Sequence, residues 1–169
     1  MTANGWLSYA NAKGVITMSK MLSAFKSWLL EPSPKLTDFE SFSRECINRR
    51  IVVSPSVREK AQQTDFHVIG DSLKIIEVKP SEIGLDIFDP HMEAKVAEIG
   101  LETLPLLGVL HARVELDNKQ HVNSVIVVPI KGGAKLYLIR REAHCYLLDD
   151  TVYPMDLLGQ FNLFFTEKR

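Results

Sequence analysis

Apolar residues fall at Met18, Met21, Leu22, Phe25, Trp28 and Leu29, the three-and-four spacing of an amphipathic helix. Glu31-Pro32-Ser33-Pro34 ends that pattern, because each proline pushes the residue before it out of helical conformation. Thr37 stands three positions before Glu40, a capping-box pattern, and Phe39, Phe42, Cys46 and Ile47 then form one face of a second helix. After the short run Ile51-Val52-Val53, Ser54-Pro55 reads as the cap and first residue of a third helix, Pro55 to Gln62. Residues 1–17 show no clean period, and Met18 offers an alternative translation start.

Beyond residue 62 the period shifts towards two. Asp65 to Ile69 and Leu73 to Lys79 predict a β-hairpin around Gly70-Asp71-Ser72. Asp89-Pro90 and Gly100 bracket a helix over 90–99. From about 104 to 150 the alternation predicts an antiparallel meander. Leu110, Ala112, Val114 and Leu116 alternate there with His111, Arg113 and Glu115. A three-residue loop at Asp117-Asn118-Lys119 sets Glu115 opposite His121 and Arg113 opposite Asn123. Gly132-Gly133, taken as a two-residue turn, puts Val127 opposite Leu138 and Val125 opposite Arg140. A turn near Arg141-Glu142 returns Ala143 to Leu148 antiparallel to Leu136 to Arg140, with a short helix over Val152 to Leu158 and a last apolar segment at Phe161 to Phe165. The expected fold class is α+β: N-terminal helices over 18–62, then a mainly antiparallel sheet (hairpin 65–79, meander about 104–150), in a single domain over 1–169.

Composition narrows the setting more than the activity. A chain of 169 residues, 46% apolar and 24% charged, can build a core without metals or disulfides. Its net charge of −1 gives no global field towards nucleic acid or anionic membranes. Cys46 and Cys145 are the only cysteines, which suits a reduced intracellular protein. No signal-type hydrophobic stretch and no run of about 18 apolar residues occurs, so a cytoplasmic location without a membrane partner is expected. Charge is uneven along the chain. Arg44, Arg49, Arg50, Arg58 and Lys60 cluster in one span, and seven acids between Glu77 and Glu102 face only Lys79 and Lys95.

Candidate chemistry is sparse. His144 beside Cys145 suggests a nucleophile pair, but neighbours on a strand point to opposite faces, so Cys145 reads as a small buried hydrophobe, as does Cys46. The polar set His111, Arg113, Glu115, His121 and Asn123 includes metal-ligand types. On a strand, though, His111 and Glu115 lie roughly 13 Å apart with a cation between them, so a partner-docking surface is expected and no metal. Lys131-Gly132-Gly133-Ala134-Lys135 lacks the spacing of a phosphate loop.

The function expected is a non-catalytic protein-binding module, such as an adaptor, inhibitor or immunity-type protein, using a sheet face or edge and needing no cofactor. The Met- and aromatic-rich helix from Met18 also offers a surface for a homodimer. An alternative is nucleic-acid binding, because three helices and a hairpin over 18–79 follow the element order of a winged helix. Arg49, Arg50, Arg58, Lys60 and Gln62 would then supply the contacts. An enzyme whose site assembles only on folding is the third class.

Overall fold

In the computed structural model, which describes residues 24–68, 72–151 and 160–168, eight strands form one mixed sheet. They are β1 (Lys26–Leu30), β2 (Ile51–Val53), β3 (Leu73–Val78), β4 (Leu101–Glu102), β5 (Ser124–Pro129), β6 (Lys135–Arg141), β7 (His144–Asp149) and β8 (Asn162–Glu167). The order across the sheet is β1-β3-β8-β5-β6-β7-β2, with β4 beside β8. Between the strands run α1 (Phe39–Asn48), α2 (Pro55–Gln62), α3 (Pro80–Ile83), α4 (Met92–Glu98) and α5 (Leu106–Leu116), and a 3₁₀ turn at Asp117–Lys119 follows α5.

Alternation along the strands builds two cores, one on each face of the sheet. Ile75, Ile126, Leu138, Leu147 and Phe164 point to the face covered by α1, α2 and α5. Ile76, Val127, Tyr137, Leu163 and Phe165 point to the face covered by α3 and α4. None of the described helices is long and apolar enough to cross a membrane.

This architecture corrects the expectation of N-terminal helices followed by a mainly antiparallel sheet. A strand, β1, precedes the first described helix, and β2 separates α1 from α2. Two pairings, β5–β8 and β2–β7, are parallel. Lys26 to Leu29, expected at the end of the helix from Met18, are strand, while Met18 to Leu22 lie outside the described residues. Trp28 and Leu30 share one face of β1 and pack into the α5-side core, so a period of two wins where three-and-four spacing also fitted.

The largest correction is α5. Leu106 to Leu116, read as a strand, is a helix buried on every side from Leu107 to Val114. When all faces of a helix are buried, its sequence carries no amphipathic period, and an accidental alternation of leucine, alanine and valine imitates a strand. Residue type pointed the other way, since leucine, alanine, arginine and glutamate favour helix and only Val109 and Val114 are β-branched. Gly108 seats the helix: a Cβ there would lie 3.0 Å from Leu73 Cδ1 on β3.

The other local expectations fare variously. The capping box of α1 lies one residue later than expected, with Asp38 as the cap: its carboxylate accepts from Ser41 N at 2.8 Å, and Ser41 Oγ accepts from Asp38 N at 3.1 Å. Ser54 caps α2 as expected, accepting from Val57 N, with Pro55 in the first turn. No strand occupies Asp65 to Val68; Asp65 instead accepts from His67 N in a tight turn, and β3 pairs with β1 and β8. The β5–β6 loop has three residues, Lys131 to Gly133, with Gly132 and Gly133 at φ +98° and +90°. That one-residue difference pairs Val125 with Ile139 and Val127 with Tyr137, keeping Arg140 off the apolar row. The β6–β7 turn returns the chain as expected, with Arg141 opposite His144. The helix expected over Val152 to Leu158 lies outside the described residues.

Candidate functional site

Because α5 is a helix, the five residues expected on one polar strand face separate. His111 and Arg113 are buried, whereas Glu115, His121 and Asn123 are exposed. His111 Nδ1 accepts from Ser33 N at 3.2 Å, which ties the segment after β1 to α5, and burial pushes its pKa below the ordinary histidine value. Arg113 is fully buried; its guanidinium donates to the carbonyls of Tyr146 and Asp117, both at 3.3 Å. The Asp117 carbonyl also accepts from Cys145 Sγ at 3.1 Å. Arg49 completes this node, bonded to Glu45 at 2.9 Å, to the Asp117 carboxylate at 3.0 Å and to the Val114 carbonyl at 3.4 Å. It caps the C-terminal end of α5, where a cation is favoured. Asp117 can serve both arginines because it leaves the helix at φ +35°.

Arg113 therefore cannot dock a partner, because its segment is a helix buried on all sides and not the strand expected. Alternation assigns faces correctly only to strands. Cys46 and Cys145 are buried too, and burial pushes the Cys46 thiol up to about 12, far from a reactive thiolate.

The exposed remainder of the set meets a second group of residues that sequence reading left unconnected. Beneath the end of α5 the sheet opens into a cleft of about 320 Å³. Its floor is aromatic and apolar, with Trp28 of β1 edge-on to Phe164 of β8 at 5.9 Å between ring centroids, and Ile126 beside them. A polar row borders that floor. Glu77 of β3 accepts from Asn162 Nδ2 at 2.7 Å and pairs with Lys26 Nζ at 3.3 Å. The opposite wall comes from Glu115 and Lys119, paired at 3.2 Å, followed by Gln120 and His121. A larger hollow of about 560 Å³ adjoins it, sharing Ser124, Val125 and Asn162 and reaching Lys79 and Phe161.

Gln120 is the least expected member. It is buried, and its Nε2 donates to Leu138 O at 2.9 Å and to Ser124 O at 3.3 Å. Rotating the amide would set its oxygen against two carbonyls, so its orientation is fixed. Its Oε1 is buried without a hydrogen-bond partner among the described residues. Ser124 Oγ donates to the His121 backbone carbonyl at 2.6 Å, so its proton is committed away from the imidazole. No group of three metal-ligating side chains forms among the described residues.

The nucleic-acid set is dispersed. Arg49 is spent on the α5 node, and Arg58 lies over the Phe39 ring at 5.3 Å and donates to Ser43. Arg50, Lys60 and Gln62 are exposed. With β2 between α1 and α2, and β3 inside the sheet, the described residues do not follow the element order of a winged helix. Comparison of the chain with protein-family models, with curated proteins and with solved structures gives no match.

Proposed function

We propose that the chain is a non-catalytic protein-binding module whose docking site is the cleft beneath the end of α5. One observation carries this reading: folding brings Glu115 and His121 together with half-buried Trp28, which rests on the fully buried Phe164, an aromatic floor inside a charged rim. Protein interfaces are built this way, with aromatic anchors at the centre and polar groups around them. The commitment of the Ser124 hydroxyl to a backbone carbonyl also favours binding over nucleophilic chemistry.

The test is a capture experiment in native-host lysate with the wild type, the Glu115→Ala/His121→Ala double variant, and a control changed at exposed Ile47 on α1. A protein held by the wild type and the control but lost by the double variant supports the reading. Equal capture by all three overturns it.

A further inference from the structure

We infer that the cleft receives a basic side chain, arginine in preference to lysine, projecting from the protein partner. The inference rests on the docking reading above and adds the chemistry of the residue that is docked.

The cleft is lined by two acids and two lysines, so formal charge alone does not decide what enters. Burial does. The Glu77 side chain is only 13% exposed and is held by Asn162, whereas its partner Lys26 is 75% exposed. Lys119 at 69% is likewise held loosely against Glu115 at 52%. Lys119 belongs to an exposed pair and can swing into solvent at small cost, whereas Lys26 leaves the largely buried Glu77 only as another cation takes its place. The Glu77 carboxylate stays in place. An entering cation then replaces the Lys26 ammonium, while an entering anion would face Glu77 and Glu115 together.

The uncharged groups agree. Gln120 lines the cleft, and its Oε1 is a buried acceptor with no donor among the described residues, on an amide that cannot rotate. A ligand rich in N–H groups would satisfy it, and an anion would not. A guanidinium carries five N–H donors in a plane, enough to serve carboxylate and amide acceptors together. The same plane stacks on an aromatic face, and Trp28 is the better of the two rings for that contact. A volume of about 320 Å³ lies at the small end of ligand sites, which suits one inserted side chain.

Nuclear magnetic resonance of the full chain tests this with defined probes. The arms are Nα-acetyl-arginine methylamide, the lysine counterpart, the neutral isostere Nα-acetyl-citrulline methylamide, and Nα-acetyl-glutamate methylamide. The Trp28 indole N–H and the Gln120 side-chain amide report, with Trp28→Phe assigning the indole. The expected result is saturable perturbation of both signals by arginine, weaker with lysine and at least about tenfold weaker with citrulline, as loss of a charge-assisted hydrogen bond implies. Glu77→Gln weakens arginine binding by about tenfold. If that variant loses its folded spectrum, Glu115→Gln on the exposed end of α5 takes its place and weakens binding severalfold. Perturbation by citrulline or glutamate equal to that by arginine overturns the inference, as does no perturbation by any probe. If arginine fails while the double variant still loses its protein partner, docking stands and the basic side chain falls. If arginine binds while capture is indifferent to the double variant, the docked partner side chain falls together with the docking reading.

Discussion

Two clusters at the end of α5 use the same residue types to opposite ends. At the node, Arg113, Arg49 and Cys145 converge on Asp117, and Arg113 is sealed from solvent, its Nε buried without a hydrogen-bond partner among the described residues. In the cleft, Glu77 pairs with Lys26 on one side and Glu115 with Lys119 on the other, and both lysines are mostly exposed. The first cluster holds the helix in place. The second leaves charge that can be exchanged. What separates them is access to solvent, because a buried charge that loses its partner bears the full cost of desolvation, while a rim charge turns to water.

The sharpest way to break the contrast is Arg113→Ala. It removes a donor from the carbonyls of Tyr146 and Asp117, the latter keeping Cys145 Sγ, and opens a cavity in the core, and the expected loss is about 3–5 kcal/mol in urea unfolding. Arg113→Met refills the space and recovers part of that loss. Gly108→Val, which drives a branched side chain against Leu73, is expected to cost about 1–3 kcal/mol by overpacking the seat of the same helix.

His111 sharpens the comparison by pH. Its pKa is lowered in the folded state by burial, so the unfolded chain takes up the proton first as pH falls. Stability from this group is complete above about pH 6.5 and declines below it, by at most about 1.4 kcal/mol per pH unit, until the folded-state pKa is reached. The other four histidines are exposed, so His111→Gln is expected to remove that slope when unfolding is followed from pH 7.5 to 5. Smallest in stability is Glu115→Gln, expected to shift the unfolding midpoint within about 0.5 kcal/mol while altering binding. A stability change as large as that of Arg113→Ala would show that the cleft is structural after all.

Signals that act over a few residues were readable in the chain. Ser54-Pro55 opens α2, Gly100 ends α4, and the turn at Glu142-Ala143 returns β7 onto β6. Asp38 displaces Thr37 as the cap of α1 because Ser41, rather than Glu40, closes the box. What escaped was whatever depends on distant contacts. The helicity of α5 is imposed by burial on all sides, and the pairing of β2 with β7 joins residues about ninety positions apart. Of the cleft, Glu115 and His121 stand out in the chain for their polarity, but Trp28 reads only as an apolar position of a helix and Glu77 only as one acid of seven, since only the β1–β3–β8 pairing aligns them. Gln120, whose Oε1 has no donor among the described residues, has no signature in the chain at all.

The placement of β8 governs how the molecule is made. This strand bonds to β3 on one side and, on the other, to β5 at Asn162–Leu163 and to β4 at Thr166–Glu167. Without it the sheet falls into two fragments, β1–β3 and β5–β6–β7–β2, each with an unsatisfied inner edge. During synthesis those edges stay open until the ribosome has released Glu167. The chain therefore folds late and across long sequence separations, a topology that slows closure and exposes sticky strands while it waits. A premature stop before Asn162 is expected to yield an aggregating product rather than a smaller working domain.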